Sequence, residues 1–219
     1  MFRRAHICGR FALFGLALAL IALPAEAQQP RRDVDYRLIP QQPVATGDRV
    51  EVIEFFFYAC PYCNELEPFL ERWLKLKPAN VVFRRVPVVR HDSWVPLAKT
   101  YYALEAMGEA ERLHAAVYYG IHVDDLALSQ EKVLAEWAGK QGLDRDKFMA
   151  IYRTDAIREK IERARQMTAN YDIKSTPSVV VDGRYLTSTG MTSSVPQVIP
   201  VIESLINLAR QQRLETSGK

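Results

Sequence analysis

The 219-residue chain carries 29 Lys and Arg against 26 Asp and Glu, a formal charge of +3, and 48% of its residues are apolar. Such a length holds one large domain, or a domain carrying an insertion. So small a net charge leaves no electrostatic footprint for nucleic acid or for an anionic membrane.

Residues 1–27 read as an export signal. Arg3, Arg4 and Arg10 form a basic start, Phe11–Leu23 is unbroken by charge, and Ala25-Glu26-Ala27 puts small residues where a signal peptidase reads. The competing reading is a membrane anchor, but the 13 residues of Phe11–Leu23 fall short of the roughly 20 a bilayer requires. Cleavage after Ala27 removes Cys8, three arginines and Glu26, leaving 26 basic and 25 acidic residues. No later segment is long and apolar enough to span a membrane, so a soluble mature protein is expected. It keeps only Cys60 and Cys63. One closely spaced pair is no disulfide scaffold, because so short a loop hardly constrains the unfolded chain. The fold must rest on an apolar core, and the pair is free to cycle.

After the signal, 28–49 is polar and proline-bearing, with one short candidate strand, Tyr36–Ile39. Val50–Tyr58 is a strong strand, rich in β-favouring residues. A helix follows from Pro61 to about Lys77, with Leu66, Phe69, Leu70, Trp73 and Leu74 on one face and a kink expected at Pro68. Asn80–Val89 reads as the next strand. Helical patterns then run through Trp94–Met107, Glu109–Gly120, Ser129–Lys140, Lys147–Tyr152 and on to Asn170. Ser129, Asp144 and Thr154 or Asp155 stand as N-caps. Strand character returns at Ser178–Val181 and Arg184–Thr187 around an Asp182-Gly183 hairpin turn. A last helix spans about Val195–Gln211, with Pro200 in its first turns or kinking it, and disorder is expected over 215–219. There are no internal repeats or low-complexity tracts.

The order is βαβ, a helical block, then ββα. A Cys-x-x-Cys beside a βαβ pattern points to an α/β, thioredoxin-like fold, a central mixed sheet flanked by helices with an inserted all-helical domain. The expected division is 28–92 and 169–214 for the two parts of the thioredoxin-like domain, 93–168 for the insertion and 215–219 for a tail.

The pair sits where the strand Val50–Tyr58 meets the helix from Pro61. A proline fits the first helical position, where a missing N–H costs nothing. Cys60 then lies at the helix N-terminus, among unpaired N–H groups and the positive end of the dipole, where a thiol ionises readily. Cys63 falls one turn in and partly buried. Three rival readings compete with redox chemistry. Zinc needs four ligands, and His91, His114 and His122 form no His-x3-5-His pair; His114 and His122 read as surface or packing residues. Two inert, packed thiols would not call for a proline at the helix start. A c-type haem needs His after the second cysteine, where Asn64 stands.

Glu54 interrupts an apolar strand, and a lone buried carboxylate is costly. It reads as the proton acceptor and donor for Cys63, as an edge-facing, solvated strand residue, or as a partner for Arg84 or Arg85. Glu67, four residues past Cys63, reads as a surface helix acid. Spacing alone predicts a trans bond at Thr176-Pro177, since few X-Pro bonds are cis, but its place before a strand in this fold favours cis.

With Val52-Ile53-Glu54-Phe55-Phe56, Cys60-Pro61-Tyr62-Cys63, the helical block, Ser175-Thr176-Pro177 and Val181-Asp182-Gly183-Arg184-Tyr185, the mature chain resembles the DsbA family of bacterial periplasmic thiol:disulfide oxidoreductases. The resemblance implies Cys60 as exposed nucleophile, Cys63 as resolving partner and Glu54 as buried acid. It implies a cis Thr176-Pro177 bond, with Pro61, Tyr62, Thr176 and Pro177 meeting substrate and the Thr176 backbone pairing an extended segment by strand addition. It further implies a periplasmic monomer with no cofactor beyond its own disulfide. Its partners would be exported proteins with free cysteines and a membrane DsbB-type quinone reductase as reoxidant. The chain departs from the family at Tyr62, where many members have His; a neutral O–H replaces a possible cation beside the thiolate. The expected activity is oxidation of exported proteins. The alternatives are a reductase or isomerase, or a non-catalytic peptide-binding chaperone module; the short 28–35 segment leaves no room for the isomerases' N-terminal dimerisation domain.

Overall fold

The computed structural model describes residues 29–217. The expected signal at 1–27 lies outside them. Five strands form one sheet in the order β1-β5-β4-β2-β3. They are β1 Arg37–Leu38, β2 Val50–Phe56, β3 Val81–Pro87, β4 Ser178–Val181 and β5 Tyr185–Ser188. β2 runs parallel to β3 and antiparallel to β4, and the β4–β5 and β5–β1 pairs are antiparallel. This is a mixed, thioredoxin-like sheet.

β2 lies inside the sheet, and all seven of its residues are buried. A strand covered on both faces reads as an unbroken apolar run. Val50 and Val52 turn towards one layer, with Leu66, Leu70 and Trp73 of α1 (Pro61–Leu76) and Val198, Ile202, Leu205 and Ile206 of α7 (Val198–Ser217). Ile53 and Phe55 turn the other way, into a core shared with the helices between β3 and β4. β4 splits alike: Val179 and Val181 join the first layer, Val180 the second.

The inserted helices are α2 Val95–Ala106, α3 Ala110–His122, α4 Glu131–Lys140, α5 Arg145–Tyr152 and α6 Asp155–Asn170. α2 packs on α3, α5 and α6, and α3 reaches α1. Asp144 and Thr154 act as N-caps, accepting from the N–H groups of Lys147 and Ile157 at 3.0 and 3.4 Å. At α4 the expected cap is corrected. Gln130, not Ser129, occupies the position, without a side-chain cap bond.

α1 continues through Pro68, which stands on its exposed face. Pro200 stands in the first turn of α7, where no N–H is needed. α7 runs on to Ser217 where disorder was expected from residue 215. Long-range bonds hold these extra turns: Tyr185 Oη donates to Gln212, and Arg213 donates to Asp182 at 2.9 Å and to the Gly47 carbonyl at 2.7 Å. The hairpin turn has positive φ at both Asp182 (52°) and Gly183 (70°), the pattern that matches strand twist. A Cβ at Gly183 would stand 2.5 Å from the Gln42 carbonyl oxygen. Among the described residues no helix is long and apolar enough to cross a membrane.

Candidate active site

β2 ends at Phe56, and four residues later Cys60 caps α1 in an extended conformation (φ −86°, ψ 120°) with Pro61 in the first turn. The Cys60 carbonyl accepts from the N–H groups of Cys63 and Asn64, both at 3.1 Å. The Cys60 sulfur is thereby left beside the first N–H groups of the helix. Both thiols are free, Cys60 half-buried and Cys63 buried. Tyr62 between them is 57% exposed. Phe57 stacks on Trp94 at 3.9 Å and 4°, and both pack against the core that Cys60 borders.

The Thr176-Pro177 bond is cis, and the Thr176 carbonyl lies 3.3 Å from the Cys60 sulfur. Two bonds shape the loop before it: Arg90 donates to the Lys174 carbonyl, and Ser178 Oγ donates to the Ser175 carbonyl at 2.8 Å. Residues 116 positions apart thus meet at one sulfur.

The two thiols are electrostatically unlike. Cys60 is lowered to about 5, chiefly by the hydrogen bond from the Cys63 thiol, against burial, with the Thr176 side chain and then the N–H groups of Cys63 and Tyr62 adding to the effect. The Thr176 carbonyl can only accept, so its contact belongs to the protonated thiol. Burial pushes Cys63 well up, and the Cys60 and Glu54 charges push the same way. One sulfur is poised as a thiolate and the other as a thiol.

Beneath Cys63 lies a buried charged cluster. Parallel pairing sets Glu54 of β2 directly beside Arg85 of β3. Arg85 Nε donates to Glu54 at 3.1 Å, Nη2 to Glu67 of α1 at 2.9 Å and Nη1 to Glu111 of α3 at 3.3 Å. Burial raises Glu54 to about 8; Arg85 opposes the shift, while Glu67 and Glu111 add to it. Burial would also raise Glu67, but His114 and Arg85 outweigh it and hold Glu67 low. Glu54 is fully buried, which overturns the reading of a solvated edge residue, and it pairs with Arg85. Arg84 pairs instead with Glu51 at 3.0 Å.

The reading of Glu67 as a surface acid is corrected: it is 2% exposed. Its signal was available, because position i+4 from a buried Cys63 lies on the same helix face. His114 is buried, its Nδ1 2.8 Å from Tyr58 Oη, and His122 Nε2 contacts the Tyr58 carbonyl at 2.8 Å. His114, Tyr118 and His122 repeat every four residues along α3, a stripe that spacing could have singled out. Donor atoms of Glu54, Glu67 and His114 lie within 4.8 Å of one another, as metal ligands would. The Arg85 guanidinium already bonds both carboxyls, which makes this an ion-pair cluster. A hollow of about 670 Å³ beside Pro30, Met191 and Pro200 shares no residue with the cysteine site.

A strand-to-helix dithiol with one acidic and one buried thiol, facing a cis-proline loop on a mixed sheet, defines a thioredoxin-fold disulfide oxidoreductase. A family model described as a DSBA-like thioredoxin domain matches residues 91–197. The thiol:disulfide interchange protein DsbA of Burkholderia cepacia is 34% identical, covering 91% of this chain and 92% of its own. That of Bordetella parapertussis is 35% identical over 91% and 96% of the two chains. The crystal structure of Pseudomonas aeruginosa DsbA superposes with a TM-score of 0.79 at 28% identity, covering 84% of this chain and 96% of that one. The chain belongs to the DsbA family and is a thiol:disulfide oxidoreductase.

Proposed function

We propose that the chain works in the periplasm, after loss of residues 1–27, as an oxidant that donates its Cys60–Cys63 disulfide to exported proteins. The observation that carries this reading is the contrast between Cys60, lowered to about 5, and a Cys63 raised by burial. In exchange, the thiol of lower pKa leaves faster. A substrate thiolate attacks Cys60 Sγ, the S–S bond breaks, and Cys63 leaves with the electron pair. Cys63 takes a proton, which Glu54 supplies. A second substrate thiolate then attacks the substrate sulfur of the mixed disulfide and expels Cys60 as a stable thiolate. The substrate ends with a disulfide and the protein with two thiols, so no cofactor beyond the pair is needed.

The Thr176 backbone pairs an extended substrate segment beside Cys60, flanked by Pro61, Pro177 and the exposed Tyr62 ring. Residues 28–92 and 169–214 form the catalytic domain and 93–168 the helical insertion. A membrane quinone reductase of the DsbB type restores the disulfide, and the protein acts as a monomer. Redox equilibration with glutathione tests the direction of electron flow. The expected potential lies well above thioredoxin's roughly −270 mV, where each 30 mV is about 1.4 kcal/mol. A value near thioredoxin's would make the protein a reductant and overturn the reading.

A further inference from the structure

The cluster beneath Cys63 sets two buried carboxyls against one buried cation. Arg85 serves both through similar bonds, 3.1 Å to Glu54 and 2.9 Å to Glu67. Two ionised carboxyls on one guanidinium would leave an uncompensated buried charge, so the pair retains a proton. Arg85 does not decide which carboxyl holds it. His114 breaks the symmetry.

His114 Nδ1 lies 2.8 Å from Tyr58 Oη, and its Nε2 faces Glu67 Oε2 at 3.5 Å. A neutral imidazole carries one N–H. Were it at Nδ1, Tyr58 would accept and the bare Nε2 lone pair would confront the Glu67 carboxylate. With the hydrogen on Nε2, the Tyr58 hydroxyl donates to Nδ1 and the N–H points at Glu67. Only this tautomer sets a donor against each acceptor. Glu67 then receives donors from two sides and Glu54 from one. Glu54 Oε1, Glu67 Oε2 and His114 Nε2 are all buried without a hydrogen-bond partner; Glu67 Oε2 has the imidazole nitrogen 3.5 Å away, whereas Glu54 Oε1 is left open to a proton.

We propose that His114 is a positioning residue: its Nε2–H tautomer, set by Tyr58, holds Glu67 ionised and thereby keeps the proton on Glu54, where Cys63 can take it. This rests on Glu54 acting as the acid for Cys63. The groups facing His114 fit the assignment. Tyr101 and Tyr118 bring hydroxyls held protonated by burial. Burial, followed by Arg85, keeps the imidazole neutral against Glu67 and Glu111. When the disulfide opens, the proton passes from Glu54 Oε1 to the Cys63 sulfur; when it re-forms, Cys63 returns it.

Nitrogen-15 NMR of His114 in the reduced protein tests the tautomer without any variant. The Nε2–H form is expected at pH 7, and an Nδ1–H form or an imidazolium overturns the proposal. Side-chain carbon-13 shifts of the two carboxyls give a second reading. Glu54 is expected to titrate near 8 in the native protein. In His114→Leu that midpoint should fall by about one unit. His114→Gln, which keeps an N–H donor near the Nε2 position, should restore it. An unmoved Glu54 midpoint in folded His114→Leu overturns the proposal; if Leu does not fold, the native tautomer and the Gln variant decide. Unchanged substrate oxidation in Glu54→Gln would instead remove Glu54 from the reaction, while tautomer and carboxyl shifts still report what His114 does.

Discussion

Cys60 and Cys63 differ only in surroundings, and the difference has a thermodynamic signature. Folded Cys60 titrates near 5 against an ordinary 9.0. A depressed pKa contributes stability that is complete above the ordinary value and lost as pH falls through the folded one. Cys63, raised by burial, stays a thiol across that window. The reduced form is therefore expected to lose stability relative to the disulfide form as pH falls from about 9 to about 5. Denaturant unfolding of both forms across this range checks it, and a flat difference contradicts a depressed Cys60. Glu54 behaves oppositely. Its folded value near 8 lies above the ordinary 4.5, so its contribution is complete below 4.5 and lost as pH rises through 8. Glu54→Gln removes this titration, so its stability relative to the native protein should climb between those values. The same variant should slow substrate oxidation roughly tenfold or more below pH 8, as loss of a positioned acid does. Stopped-flow fluorescence against a reduced peptide measures the rate.

At the scale of elements, Arg85 joins four of them: β3 carries it, β2 supplies Glu54, α1 supplies Glu67 and α3 supplies Glu111. Arg85→Met would strand two buried carboxyls. The expected loss is about 3–5 kcal/mol, the usual cost of removing one partner from a buried pair. It should shrink as pH falls, because protonated carboxyls need no cation. Urea unfolding at pH 8 and pH 5 compares the two, and a pH-independent loss would mean the carboxyls are not what Arg85 stabilises. α1 was readable from spacing: Leu66, Leu70 and Trp73 fall on its buried face as periodicity requires. Glu67 shares that face, but a charged side chain in a helix reads as solvated until a cation 18 residues away is brought beneath it.

The whole molecule is built on one sheet with two covered faces. The core between the sheet and α2–α6 is continuous, running from Ile53 and Phe55 through Val117, Trp137 and Phe148. A shared core makes the insertion and the sheet unfold together. Far-UV circular dichroism and tryptophan fluorescence should then give coincident denaturation midpoints, since Trp73 lies in the sheet's other layer and Trp137 in the insertion. Two separated transitions would mean that the helical block folds as an independent unit.

Sequence alone determined what depends on neighbours along the chain. The apolar run of β2, the proline-led start of α1 with Cys60 at its tip, the Asp182-Gly183 turn and the apolar stripe of α7 follow from dihedral preference and periodicity, which act within a few residues. The tertiary structure decided which distant groups meet. It set the Thr176 carbonyl against Cys60, registered Glu54 with Arg85, and buried Glu67 and His114 beside them. A buried charge is stable only beside a partner, and that partner is chosen by strand register and helix packing rather than by spacing. The opening strand-to-helix stretch thus set Cys60 at the tip of α1, while the layers beneath it brought Glu54, Glu67 and Arg85 together.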